Sequence, residues 1–282
     1  MTDFKEKMLQ DMKLRNFSSR TQDCYLRHIE HFEKFFDSKV DSLGTEHIRN
    51  FLTHAIDVRN LSTGYVNQAY SALRFFFETT LDRHWDIKHI PRAKKQKKLP
   101  VILSKQEIHD IFNQVHNLKH KAILFTVYGA GLRVSEAVKL RVQDIDSANM
   151  KIIVHLGKGN KDRHSLLSKK NLEILRAYYR EYRPDFWLFP GRYSDKPLTT
   201  RTPQNLFRKA RIKAGIRKEA TIHTLRHCFA THLLDAGVDL VYIQQLMGHA
   251  SIKTTSMYLH LRDTRVLKIK SPLDTLSYDK NA

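Results

Sequence analysis

Cysteine is scarce in this chain. Cys24 and Cys228 stand far apart, with no CxxC and no second pair, which excludes a disulfide scaffold and a cysteine zinc site. Both read as ordinary buried thiols. Long apolar runs are missing too: the uncharged stretch near mid-chain runs only from Ala122 to Leu132, whereas crossing a bilayer takes about 20 residues. No membrane span is expected. The opening residues Met1 to Lys7 include Asp3, Lys5, Glu6 and Lys7 and lack the apolar core of a secretory signal, so a cytoplasmic setting is expected. Negative charge is the remaining shortage, with 29 Asp+Glu against 49 Lys+Arg.

That imbalance gives 282 residues a net charge of +20, which points to a polyanionic partner, nucleic acid first. With 41% hydrophobic and 28% charged residues the composition is that of a folded globular chain rather than a disordered tail.

The segment Pro91 to Pro100 carries Arg92, Lys94, Lys95, Lys97 and Lys98 between two prolines and has no apolar period. It reads as an extended basic linker over 91–103. This divides the chain into a domain at 1–90 and another at 104–282. The charge is uneven: net +5 up to residue 103 and net +15 beyond it.

The first domain is expected to be a helical bundle. Ser19 and Gln22 form a capping-box pattern ahead of Tyr25, Ile29, Phe32 and Phe36 at helical spacing. A second stripe, Val66, Tyr70, Leu73, Phe77 and Leu81, follows Ser62 and Thr63 as possible caps. Phe75-Phe76-Phe77 sits at core spacing, although aromatics can also stack on bases.

The second domain opens with the capping box Ser104 to Glu107 and continues into an uncharged helix that ends at Gly129-Ala130-Gly131. Lys151 to Leu156 is the clear strand signal, and a turn at Gly157 to Lys161 returns the chain through Arg163 to Leu167. Thr202-Pro203 reads as cap and first residue of a further helix. The expected fold class is therefore mainly α, with a helical first domain and a mixed α+β second domain holding a small β-hairpin.

Four short segments carry possible chemistry. In His223-Thr224-Leu225-Arg226-His227, positions 223 and 226 leave one helix face and could converge on a phosphate; a solvated basic helix would read the same way. Arg133 follows a glycine-rich break and has Glu136 three residues on, which fits a brace or a surface ion pair. Gly157-Lys158-Gly159-Asn160-Lys161 lacks the spacing of a nucleotide-binding loop and is better suited to moving a lysine on a hairpin. The last segment runs from Gly248-His249 to Tyr258. The nearest pair of carboxylates to these motifs, Asp144 and Asp146, looks like a turn rather than a metal cluster.

Together GLRxSE, GKGxKxR, HxLRH and GHxSxxTTxxY, in this order and spacing, resemble the tyrosine recombinase (integrase) family, phage-integrase and Xer-like, over nearly the whole chain. Ser271 to Asp274 and Leu99 to Ser104 add a partial resemblance to integron integrases, but the Lys158 to His223 interval leaves no room for the extra helix of those enzymes. The resemblance implies a SAM-like core-binding domain joined to a catalytic domain. It also implies a double-stranded DNA recombination site as partner, a homotetramer on paired sites, and no cofactor or metal. The family's catalytic residues fall on Arg133, Lys158, His223, Arg226, His249 and Tyr258, with Glu136 in support.

Their chemistry is consistent with transfer of a DNA strand to tyrosine. A free tyrosine has a pKa near 10, so a base or cation must activate Tyr258; His223 is the expected base. Arg133, Arg226 and His249 would stabilise the phosphorane-like transition state, and Lys158 would protonate the leaving 5′-oxygen. DNA contacts are expected from Arg92, Lys94, Lys95, Lys97, Lys98, Lys161 and Arg163. A type IB topoisomerase shares this chemistry. A non-catalytic regulator with a helix-turn-helix near Gly237 would need neither Tyr258 nor the hairpin. Val266, Leu267, Ile269, Leu273 and Leu276 in the tail are expected to dock on a neighbouring protomer.

Overall fold

The computed structural model describes residues 3–85, 89–94, 100–155, 162–249 and 251–261. The chain divides into two units, Met1–Lys98 and Leu99–Ala282.

Four helices make the first unit: α1 (Asp3–Leu14), α2 (Ser19–Phe36), α3 (Thr45–Asp57) and α4 (Thr63–Phe75). Met8, Met12, Ile29, Phe32, Phe51, Val66, Leu73, Phe76 and Phe77 form its core. The N-cap of α2 is Ser18, one residue earlier than the sequence pattern suggests: Ser18 Oγ accepts the Thr21 amide, and Gln22 Nε2 turns back to the Phe17 carbonyl. An adjacent Ser-Ser pair gives two equivalent cap candidates, and backbone geometry selects the first. Ser62 caps α4.

After α4 the chain makes a π-helical turn, Phe76–Thr80. The wider turn rotates successive side chains by less than an α-helix does, and both Phe76 and Phe77 are buried. Phe75 packs against Phe17 and Tyr25. The aromatic triplet thus belongs to the core. Cys24 corrects the expectation of two buried thiols, because it is half-buried while Cys228 is fully buried.

The start of the expected linker is tied to this unit. Asn67 Nδ2 donates to the Ala93 carbonyl, and Arg92 reaches Asn67 Oδ1 and Ser71 Oγ with its guanidinium over the Tyr70 ring. Lys94 is exposed. Lys95, Lys97 and Lys98 lie outside the described residues.

In the second unit, Ser104 and Glu107 form the expected capping box on α5 (Lys105–Asn113). Leu103 is already buried there, its amide donating to Cys228 Sγ, so the linker ends before residue 103. Next come α6 (Leu118–Gly129) and α7 (Val134–Ala137), then β1 (Ile145–Asp146), β2 (Lys151–Val154) and β3 (Arg163–Leu166) in an antiparallel sheet of order β1-β2-β3. Asp146 therefore stands in a short strand that sequence alone reads as a turn; two residues are too few to show an alternating pattern. The sheet register pairs Ile152 with Ser165.

The chain continues through α8 (Lys169–Tyr182), α9 (Arg201–Lys213), α10 (Ile222–Asp235), α11 (Leu240–Met247) and α12 (Ile252–Thr255), ending in a 3₁₀ segment, Ser256–Leu261. Helix α9 begins at Arg201, so Pro203 is its third residue and Thr200 its N-cap. Proline is tolerated there because first-turn amides have no intrahelical partner. Helices α6 and α10 sit in the middle of the unit, with Ile123, Leu124, Val127, Leu225 and Cys228 in one core. Among the described residues no helix is long and apolar enough to cross a membrane.

Candidate active site

The turn after α6 sets the first arginine. Gly131 has φ +60°, and a Cβ there would lie 2.2 Å from the Phe229 ring, so only glycine meets both the left-handed backbone and the packing. Leu132 is then buried, and Arg133 emerges at the start of α7. Glu136 closes this turn by accepting from the Arg133 amide at 2.8 Å and from its Nη1 at 2.7 Å.

Glu136 also binds Arg163 with both oxygens, at 3.0 and 2.8 Å, and lies 3.7 Å from Arg226 Nη1. One nearly buried carboxylate thus faces three guanidinium groups. Burial alone would raise its pKa, but the hydrogen bonds and charge of Arg163, then those of Arg133, hold it down at about 2. Glu136 is ionised throughout the physiological range.

Arg163 was expected on DNA, and the structure turns it inward. Besides Glu136, its Nε donates to the Leu246 carbonyl at 3.0 Å. Its side chain lies against Gly248, where a Cβ would approach to 2.6 Å and where φ is +61°. A basic residue in a basic strand carries no sequence signal that separates a buried brace from a phosphate contact. The bidentate fork explains why arginine serves here.

Arg226 is 1% exposed. Its Nη1 donates to the Gly131 carbonyl at 2.6 Å and its Nη2 to the Met247 carbonyl at 2.5 Å, which bolts α10 to the α6–α7 turn and to the end of α11. Burial and then the Arg133 charge lower its pKa to about 10, so it remains a cation at neutral pH.

His223 and His227 lie one turn apart on α10, their rings edge to face at 4.7 Å. His223, the expected base, is at the exposed end of this pair. Desolvation, then the charges of Arg226 and Arg133, lower its pKa. The hydrogen bond to the tyrosine is made by His227: its Nδ1 and the Tyr258 hydroxyl are 2.9 Å apart. In the sequence His227 is merely the second histidine of HxLRH, and only its i, i+4 relation to His223 marks it. Burial, then the charges of His223 and Arg226, lower the His227 pKa to about 4.

Tyr258 is 1% exposed, packed with Phe229, Ala230, Leu234, Ile243 and Met247. Burial pushes its hydroxyl up to about 12 against the opposing pull of Arg226 and Arg133. His249 lies parallel to its ring at 6.5 Å and shares a 2.9 Å hydrogen bond with Thr255 Oγ1. Burial and the Arg226 charge bring His249 down to about 4. Thus Arg133, Glu136, Arg226, His249 and Tyr258 belong to one network, with His223 reaching it through His227. Lys158 and Lys161 lie outside the described residues.

The flanking ends of β2 and β3 are pinned together. His155 is held between Asp144, 2.9 Å from Nε2, and Asp162, 3.0 Å from Nδ1. Asp144 also accepts the Arg141 amide, and Asp146 accepts from Asn149. Asp144 thus ends a 3₁₀ turn and Asp146 stands in β1, each carboxylate holding a backbone amide three residues away.

Residues 101–265 match the family model described as Phage integrase family, and residues 4–87 match Phage integrase, N-terminal SAM-like domain. A Sinorhizobium fredii (strain NBRC 101917 / NGR234) protein named as an integrase/recombinase is 44% identical over 277 residues, covering 98% of this chain and 90% of its own. Tyrosine recombinase XerD of Staphylococcus aureus (strain Mu50 / ATCC 700699) is 28% identical over 275 residues, covering 90% of this chain and 92% of its own. The solved structure of XerH site-specific recombinase bound to palindromic difH substrate superimposes with a TM-score of 0.70 at 24% identity, covering 91% of this chain and 80% of that one.

Proposed function

The chain belongs to the phage integrase family, and from that membership we propose how its residues carry out recombination. It is a site-specific tyrosine recombinase that cuts and rejoins DNA strands through a 3′-phosphotyrosine. Tyr258 is the nucleophile. Its oxygen attacks a phosphodiester, and the freed 5′-hydroxyl later attacks the partner strand's phosphotyrosine, so the reaction consumes neither water nor ATP.

Arg133 and Arg226 clamp the nonbridging oxygens, His223 and His249 donate to them, and Lys158 protonates the leaving oxygen. Glu136 holds Arg133 in place. The observation that carries this assignment is the convergence of Arg226, His227 and His249 on Tyr258, with Glu136 tying in Arg133. The substrate is a double-stranded recombination site contacted by Arg92, Lys94, Lys95, Lys97, Lys98 and Lys161. The working assembly is a homotetramer on two such sites, acting in the cytoplasm on a mobile element.

The test is incubation with a nicked site in EDTA, reading the covalent protein–DNA band and the mass of the complex trapped on paired sites. Wild type should form the band without divalent metal and assemble four protomers, while Tyr258→Phe should bind DNA but form none. A requirement for Mg²⁺, or an adduct from Tyr258→Phe, would overturn the mechanism.

A further inference from the structure

In the proposed mechanism the phenol has to lose a proton as it attacks, and the expected base, His223, does not touch it. The group at the hydroxyl is His227, 2.9 Å away through Nδ1. We propose that His227 receives the Tyr258 proton during strand cleavage and returns it during rejoining. This rests on the assignment of Tyr258 as nucleophile.

Geometry supplies the argument. His227 stands between the hydroxyl and His223, whose ring meets its own edge to face at 4.7 Å. The hydroxyl lies in a packed, nearly water-free setting, 1% of the residue being exposed, so bulk solvent has no direct route to its proton. The titratable and charged groups around His227 are His223 and Arg226 on its own helix, and His249 and Tyr258 from the segment packed on it. Burial, then the charges of His223 and Arg226, keep the imidazole neutral. In the tautomer with its proton on Nε2, Nδ1 offers a lone pair to the phenol.

The step balances within the chain. The Tyr258 O–H bond breaks and its proton passes to Nδ1, leaving an imidazolium; the phenol oxygen bonds to phosphorus. The bond from phosphorus to the 5′-oxygen breaks, and that oxygen takes a proton from Lys158. Rejoining reverses each transfer. Negative charge building on the phosphorane offsets the cost of a second cation beside Arg226.

Single-turnover adduct formation on a nicked site tests the idea, using wild type, His227→Ala, His227→Asn and Tyr258→Phe, each checked for an unchanged melting temperature and DNA affinity. Loss of a general base costs about 10²–10⁴-fold, so His227→Ala should be at least about 100-fold slower. With His227 neutral above about 4 and the phenol near 12, the wild-type rate should be insensitive to this pair between pH 6 and 9. His227→Ala should instead climb about tenfold per pH unit as phenolate forms, and free imidazole should restore part of its rate.

Asparagine keeps a hydrogen-bonding group near the hydroxyl without a base, so His227→Asn should stay as slow as alanine. It also carries the test should alanine not fold. Wild-type rates in His227→Asn would leave hydrogen bonding alone and overturn proton transfer. A His227→Ala enzyme as fast as wild type, or faster, would overturn it as well, the faster case making the bond a restraint on the tyrosine. An adduct from Tyr258→Phe would instead refute the nucleophile assignment, whatever the His227 variants do.

Discussion

Replacing Glu136 by Gln removes a carboxylate that faces Arg133, Arg163 and Arg226. Breaking a buried ion pair on one side strands the other charge and costs about 3–5 kcal/mol. Glu136→Gln, which keeps the shape and one acceptor, is expected at the lower end, about 3 kcal/mol, measured by urea unfolding at pH 7. The pH dependence has a definite sign. A carboxyl whose folded pKa falls from 4.5 to about 2 contributes stability that is fully present above 4.5 and is lost as pH drops toward 2. The gap between wild type and variant should therefore close on acidification. A gap that stays constant from pH 7 to 3 would show that the charge on Glu136 is not what stabilises the cluster.

At the scale of elements, α10 and the strands β2 and β3 frame the candidate site. Helix α10 is buried on several sides; Arg226 and His227 face the Tyr258 cluster from it, and its far end is moored by His232. His232 Nε2 faces the Leu103 carbonyl at 3.1 Å, and a carbonyl only accepts, so that nitrogen carries the proton and Nδ1 accepts from the Tyr128 hydroxyl at 2.9 Å. The hairpin is pinned at its base by His155. Asp162, then Asp144, raise the His155 pKa above its ordinary value of 6.5. A raised histidine contributes stability that is present below 6.5 and fades as pH rises through the folded value. Amide exchange in Arg163–Leu166 should thus quicken on the alkaline side of the His155 titration, followed by NMR. Asp162→Asn should bring that titration back toward 6.5. An imidazole that titrates at 6.5 in both proteins would exclude the clamp.

At the scale of the whole molecule, charge decides how the protein meets DNA. Each phosphate neutralised releases counterions and adds about 0.9 to the slope of log K against log salt. Converting Lys94, Lys95, Lys97 and Lys98 to Gln should flatten that slope by up to about 4, read from affinities at several salt concentrations; an unchanged slope would place these lysines off the DNA. Such a charge balance is a sum over residues, so it is legible without a fold. Helical periods, the capping box at Ser104 and the four motifs are legible too, because they depend on neighbours a few positions apart. Those local patterns single out Arg133, Glu136, Arg226, His249 and Tyr258, which the fold brings into one cluster. The partners of Arg163 were not legible, since Glu136 and Leu246 lie far from it in sequence and only folding brings them together. The same holds for the hydroxyl of Tyr258. Local spacing makes His223 and His227 equally good candidates on one helix face, and the packing of the last helices against α10 decides which imidazole the phenol meets.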